Sequence, residues 1–356
     1  MKTALTDRLG LDLPIIQAPM AGTSTPELAA AVSNAGALGS ISIASVDAVE
    51  GRRQIQALKA LTTRPFNVNL FCHAPTPPDP TRDRAWIDSL RPLFAQFRAA
   101  PPETLTEIYQ SFLTDDAKLA VLLDEKPAVV SFHFGLPQAE KIPALKSAGC
   151  LLIASATTPE EGRQAQAAGV DMVVAQGFEA GGHRGVFDPA DDPRFATLPL
   201  TRLLARELDI PVIAAGGIMD GAGIAAALAL GAAGAQLGTA FVSCPESAAN
   251  PAYRAALASP RAERTRVSPV ISGRPARGVE NAFMQRADEA LTAGYPYAYD
   301  LGKALNAAAS AQGDDGYAPQ WAGQAAPLTR ALPAAELVEA LAQETRDAVS
   351  RLQRLL

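Results

Sequence analysis

With 356 residues, 48% of them hydrophobic and 19% charged, the chain is long enough to bury a large core and has the composition of a globular protein. Its formal net charge of −6, from 31 basic and 37 acidic residues without a basic block, leaves nucleic acid no electrostatic footprint and points to small-molecule partners. Cys72, Cys150 and Cys244 are odd in number, widely spaced and without a CxxC pair, which speaks against a disulfide framework and a zinc site.

A reducing cytoplasm fits these cysteines, and Met1-Lys2-Thr3-Ala4 does not open the continuous apolar core of a secretion signal, so a cytoplasmic location is expected. In chain order, eight short apolar runs read as strands: 15–18, 38–40, 66–70, 128–132, 151–155, 172–175, 211–214 and 234–237. Helical patterns separate most of them. Segment 26–34 follows the cap-like Thr25, 158–168 carries Pro159 and two glutamates in its first turn, and 221–230 is rich in alanine. Gly36, Gly149, Gly169 and Gly231 fall between a helical pattern and the next strand, where a short connection needs a left-handed helix cap.

Such alternation predicts parallel βα units, and eight of them favour an α/β fold closed as a (β/α)8 TIM barrel over an open doubly wound sheet. The expected barrel domain is 1–244. Two regions interrupt the rhythm. Residues 75–117 begin Pro-Thr-Pro-Pro-Asp-Pro and carry Trp86, Phe94, Phe97, Tyr109 and Phe112 at helix-compatible intervals, which suits an inserted helical segment, either a cap over the barrel mouth or a peripheral packing element.

From 245 to 356 strand patterns cease, and a mostly helical region on the substrate side of the barrel is expected. It ends in an amphipathic helix, 334–356, with Leu337, Val338, Leu341, Val349, Leu352 and Leu355 on or near a core-facing side. The uncharged stretch 221–243 has the length of a membrane span, but its alanine, glycine and Gln236 suit a barrel helix followed by a buried strand. No membrane association is expected.

In a barrel of this kind the residues just past each strand share the face that carries the active site. Met20 and Gly22, Asn69, His133, Gln176 to His183, Gly216-Gly217 and Gly238-Thr239 all occupy such positions. The richest segment is Ala-Gln-Gly-Phe-Glu-Ala-Gly-Gly-His-Arg-Gly at 175–185. Its glycines let backbone amides approach a ligand, while Gln176, His183 and Arg184 offer an amide, an imidazole and a cation. His183 has little among those glycines to pack on, which makes it the leading functional histidine.

Other readings stay open. His133 suits a pocket or a satisfied structural site, His73 lies at the edge of the proline-rich insertion, and three scattered histidines without a carboxylate cluster give no metal site. Gly216-Gly217 beside Gly238-Thr239 suits phosphate held by backbone N–H groups, or a tight turn. Asn69 and Gln176 can pair with the edge of a planar heterocycle or with loop backbone.

Taken together, Gln17-Ala18-Pro19-Met20-Ala21-Gly22, Asn67-Val68-Asn69-Leu70, the segment 175–185, Ala214-Ala215-Gly216-Gly217-Ile218, Gln236-Leu237-Gly238-Thr239 and Pro296-Tyr297-Ala298-Tyr299-Asp300 carry a resemblance over essentially the whole chain. The chain resembles the class I nitronate monooxygenases. That resemblance implies an FMN-dependent enzyme, without a metal, that oxidises alkyl nitronates such as propionate 3-nitronate with O2 to a carbonyl compound and nitrite through a flavin semiquinone. It places Met20, Gly22, Asn69, Gln176, Gly181 and Gly182 around the flavin, and Gly217 with Gln236, Leu237, Gly238 and Thr239 at its phosphate.

His183 would face the reactive side as the catalytic group, with His133, Tyr299 and Lys303 toward substrate. Tyr299 and Lys303, four apart, share a helical face, although an exposed salt-bridging lysine fits as well. The rival readings are an FMN-dependent, NADH-using enoyl reductase and a non-catalytic barrel that binds a phosphorylated ligand. A homodimer stays open, and so does the role of His183 as a base toward neutral nitroalkanes.

Overall fold

The computed structural model describes residues 1–355. All eight expected strands form one parallel sheet: β1 (Ile15–Gln17), β2 (Gly39–Ser42), β3 (Phe66–Phe71), β4 (Val129–His133), β5 (Leu151–Ala156), β6 (Met172–Gln176), then, after a short β7 (Gly182–His183) outside the sheet, β8 (Val212–Ala215) and β9 (Gly234–Leu237). Neighbours pair in register from β2 through β9, and β9 pairs with β1, Ile16 opposite Gln236. The ring closes at a single parallel bridge between Ile16 and Leu38. The fold is therefore a (β/α)8 TIM barrel, as the alternating pattern requires.

Period-two alternation divides each strand between two cores. Met172 and Val174 face the barrel interior with Ile16, Ile153 and Ile213, while Val173 and Ala175 face the outer helices. Leu5 and Leu11, from the N-terminal helix Ala4–Leu9 and the turn after it, join that interior core. Removing each such side chain from water contributes about 1.5–3 kcal/mol. Gly36, Gly149, Gly169 and Gly231 have φ of +89°, +93°, +90° and +98°, so the helix-ending glycines adopt the left-handed conformation expected of them.

The charge-free stretch 221–243 divides into helix Gly221–Ala229, strand β9 and the short helix Thr239–Val242. Among the described residues no helix is long and apolar enough to cross a membrane. Within 75–117 the chain forms helix Pro80–Gln96, whose Trp86, Ile87, Leu90 and Phe94 pack against Ile271, Phe283, Leu301 and Leu305 of the C-terminal region. These residues build a second core beside the barrel, and the extended chain that follows brings Tyr109 to the cavity wall.

Two expectations for the C-terminal region change. Strand structure does not stop after 245: β10 (Thr265–Ser268) and β11 (Ala276–Val279) form an antiparallel sheet whose other edge is β7, with Ala276 opposite His183 and Arg277 opposite Gly182. Both strands are short, and β11 carries Gly278, so neither has the alternation that marks a strand in sequence. The last helix, Ala334–Gln353, buries Leu337, Val338 and Leu341, but Val349, Leu352 and Leu355 are 41%, 56% and 81% exposed. That helix outruns the barrel helices it lies against, so its final apolar residues find no core.

Candidate active site

The strand ends open into a cavity of about 470 Å³ at the mouth of the barrel. Ile153, Val174 and Ala215, the uppermost residues of the barrel interior, form its floor. Met20, Gly22, Asn69, His133, Gln176, Gly181, Gly182, His183, Gly217, Gln236, Gly238, Thr239, Tyr299 and Lys303 all line it. Leu237 does not. Its side chain is buried between the sheet and the outer helices, and its carbonyl accepts from Ala18 N–H at 2.8 Å, because alternation along β9 turns it away when Gln236 faces inward.

One end of the cavity is nearly bare of side chains. Gly216 and Gly217 have φ of +124° and +69°, and a Cβ on Gly216 would lie 2.7 Å from Thr197 Oγ1. Among the described residues the backbone N–H groups of Gly216, Gly217, Gly238 and Thr239 meet no acceptor in the protein. Such N–H groups seek an acceptor from a ligand, and an anionic oxygen satisfies several at once. The side-chain amide of Gln236, half-buried on the wall, likewise has no hydrogen-bond partner among the described residues.

Asn69 and Gln176 are more committed. Asn69 Oδ1 accepts from Ser42 Oγ at 3.3 Å and its Nδ2 donates to Ser131 Oγ at 3.0 Å. Gln176 Nε2 donates to the His183 carbonyl at 3.0 Å, and its Oε1 accepts from Gly185 N–H at 2.7 Å. Gln176 thus shapes the loop that carries His183. Arg184, expected as a ligand-facing cation, is wholly buried away from the cavity: it makes a two-pronged ion pair with Asp192 at 2.8 and 3.1 Å and donates to the Gly177 carbonyl at 2.8 Å. Its task is to hold the loop.

The other end is aromatic. Phe134, Tyr295, Tyr299 and Trp321 surround the His183 imidazole at ring-centroid distances of 5.6, 6.0, 6.3 and 5.2 Å. Burial, with His133 and Arg274 adding positive charge, lowers the His183 pKa to about 3, so the ring is neutral near pH 7. His183 Nε2 lies 2.8 Å from Ser272 Oγ.

His133 Nε2 donates to the His183 carbonyl at 3.2 Å, since a carbonyl only accepts, and its Nδ1 accepts from Ser155 Oγ at 2.9 Å. Burial lowers the His133 pKa to about 4. His73 is buried behind the cavity, edge-on to Tyr295 at 4.8 Å, and burial lowers its pKa to about 4 as well.

Lys303 Nζ sits over the rings of Tyr109 and Tyr299 at 4.7 and 5.3 Å, within cation–π range. It has no carboxylate within ion-pair distance among the described residues, and partial burial lowers its pKa. No Asp or Glu lines the cavity, and Lys303 is its one charged side chain among the described residues. The electrostatics select an anion.

Sequence reasoning passed over Phe134, Tyr295, Trp321 and Ser272 as site residues. Phe134 has a φ of +72°, a strained backbone for a bulky residue, but nothing in sequence signals it beyond the Gly135 that follows. Trp321 reaches the site from a segment held by Gly323 N–H donating to Thr239 Oγ1 at 3.0 Å. No local pattern connects 321 to 183.

A family model described as nitronate monooxygenase matches residues 2–344. A curated nitronate monooxygenase of Paraburkholderia phytofirmans is 57% identical over 359 residues, which cover 99% of this chain and 98% of that protein. Among solved structures, the nitroalkane oxidase from Streptomyces ansochromogenes is 42% identical with a TM-score of 0.89, over 98% of this chain and 100% of that one. FabK from Thermotoga maritima is 30% identical with a TM-score of 0.78 over the full length of both chains. The chain belongs to the nitronate monooxygenase family of oxidoreductases.

Proposed function

We propose that this protein oxidises alkyl nitronates, propionate 3-nitronate among them, with O2 to a carbonyl compound and nitrite, using FMN held in the barrel mouth. The observation that carries the reading is a cavity with one cationic side chain, no carboxylate, and unpaired backbone N–H groups at one end. The donor set fits FMN: Gly216, Gly217, Gly238 and Thr239 would take its phosphate, and Gln236, Met20, Gly22, Asn69, Gln176, Gly181 and Gly182 would border the rest. When bound, FMN supplies one-electron oxidation of the nitronate carbon and transfer to oxygen.

The chain's own groups do the remaining work. Lys303 attracts the anionic substrate, and the Tyr109 and Tyr299 rings beneath its ammonium keep that charge poorly hydrated, which strengthens it. Phe134, Tyr295 and Trp321 exclude water from the reacting end. His183, neutral because burial forbids its second proton, meets the substrate as an uncharged imidazole rather than a counter-ion. A neutral imidazole is also the form that accepts a proton from a neutral nitroalkane.

Purified protein should be yellow and should release nitrite and consume O2 when given propionate 3-nitronate without pyridine nucleotide. Flavin-loaded protein that releases no nitrite from any alkyl nitronate would overturn the proposal. Reduction of its flavin by NADH in the absence of oxygen would move the assignment to the enoyl reductase reading.

A further inference from the structure

Between β10 and β11 the chain runs Ser272-Gly273-Arg274-Pro275, a turn with no residue on the cavity wall and several contacts to the His183 loop. Ser272 Oγ lies 2.8 Å from His183 Nε2, and Arg184 N–H donates to the Pro275 carbonyl at 2.8 Å. Ala276 pairs with His183 across the sheet, and Arg277 donates through Nε and Nη2 to the Phe178 carbonyl at 3.1 and 2.9 Å. Gly273 is wedged in place: its φ is +92°, and a Cβ there would lie 2.6 Å from Tyr295 N.

Ser272 is 1% exposed, so its hydrogen bonds are made within the protein. Its hydroxyl has one proton and three polar neighbours: His183 Nε2 at 2.8 Å, the Arg274 carbonyl at 3.1 Å and Arg274 N–H at 3.3 Å. The N–H donates to the hydroxyl. The Arg274 carbonyl only accepts, and among the described residues it has no other donor. Giving the hydroxyl proton to that carbonyl satisfies all three groups, provided His183 donates through Nε2–H. The opposite arrangement leaves the carbonyl unpaired.

Arg274 itself is 4% exposed, with its guanidinium 4.5 Å over the Phe134 ring and no carboxylate in ion-pair reach. The other ionisable groups around the imidazole are His133, Tyr295 and Tyr299, and none is a carboxylate. Nothing near the ring favours a second proton.

We propose that the Ser272–Arg274 turn is a positioning element that holds His183 as a neutral imidazole protonated on Nε2, leaving Nδ1 as its only acceptor. Its bearing on substrate rests on the proposed nitronate oxidation, but the tautomer is a property of the protein alone.

Long-range proton–nitrogen spectra of the ¹⁵N-labelled flavoprotein read the tautomer directly, and loss of one signal set in His183→Asn assigns it among the three histidines. Wild type should show a single Nε2–H form at pH 6 to 8, Ser272→Ala a mixture or the Nδ1–H form, and Ser272→Thr the wild-type form. On a neutral nitroalkane, whose proton Nδ1 would accept, Ser272→Ala should lower kcat about tenfold with KM within about twofold, and Ser272→Thr should recover most of it. In Arg274→Met the His183 signal should titrate at higher pH than in wild type. An Nδ1–H tautomer in wild type overturns the proposal even if no variant folds, and so does an unchanged His183 spectrum in Ser272→Ala. Spectra as expected from a protein that oxidises no nitronate would sink the proposed activity and leave the positioning role standing.

Discussion

The two ends of the cavity solve opposite problems with opposite materials. At the Gly216-Gly217 end, side chains are nearly absent and backbone N–H groups are left without a protein acceptor among the described residues, and all of that material comes from the ends of β8 and β9. At the His183 end, Phe134, Tyr295, Tyr299 and Trp321 crowd around one imidazole, and they come from segments up to 138 residues away along the chain (321 − 183). A bare end binds charge through dipoles that need no reorganisation. A crowded end sets the protonation and hydration of the few polar groups it encloses.

The sharpest way to break this contrast is to fill the bare end. Gly216→Val would force a branched side chain into a φ of +124° with its Cβ 2.7 Å from Thr197 Oγ1 and 3.1 Å from Ala180 N. We expect colourless protein with native far-ultraviolet circular dichroism and activity reduced by more than about 100-fold. Retention of stoichiometric flavin would show that the phosphate sits elsewhere.

His183→Asn addresses the crowded end and should leave the flavin in place. Turnover of a neutral nitroalkane should fall by about 100-fold or more, and that of a preformed nitronate by much less, if the imidazole accepts the proton. Equal losses on both substrates would reduce its role to positioning. Lys303→Met is milder: KM for a nitronate should rise about tenfold, near 1.4 kcal/mol, with kcat little changed. An unchanged KM at low ionic strength would remove Lys303 from substrate attraction.

The smallest effect at neutral pH grows on acidification, and only at the crowded end. His73, His133 and His183 have pKa values lowered to about 4, 4 and 3 in the fold, against 6.5 unfolded. Below pH 6.5 the unfolded chain binds protons that the native state refuses, so stability is full above that value and declines as pH falls toward 4. Each imidazole contributes at most about 3 kcal/mol to that loss. Near-ultraviolet dichroism of the aromatic cage should weaken in that window. Acid stability unchanged between pH 6.5 and 4 would mean that these rings are protonated in the native state.

The same contrast separates what was legible in sequence from what was not. Strand positions, helix caps and left-handed glycines could be read because each depends on neighbours within a few residues. Arg184 shows the limit. Its place beside His183 suggested a ligand-facing cation, but Arg184 lies just past β7 with its side chain buried away from the cavity, and Asp192 captures the guanidinium. Leu237 turns its side chain off the cavity because only alternate residues of β9 face the mouth. The pairing of β11 with β7 had no local signal, because a two-residue strand beside glycines has no periodicity to detect.

By itself the sequence determined the barrel, the face that carries the site and the bare end of the cavity, because apolar periodicity and glycine conformation are local properties of the chain. Only the tertiary structure decided the crowded end. Whether His183 is charged depends on how deeply it is buried and on what charges surround it, and those neighbours, Arg274 and the aromatic rings among them, are brought together by packing the C-terminal region onto the barrel mouth.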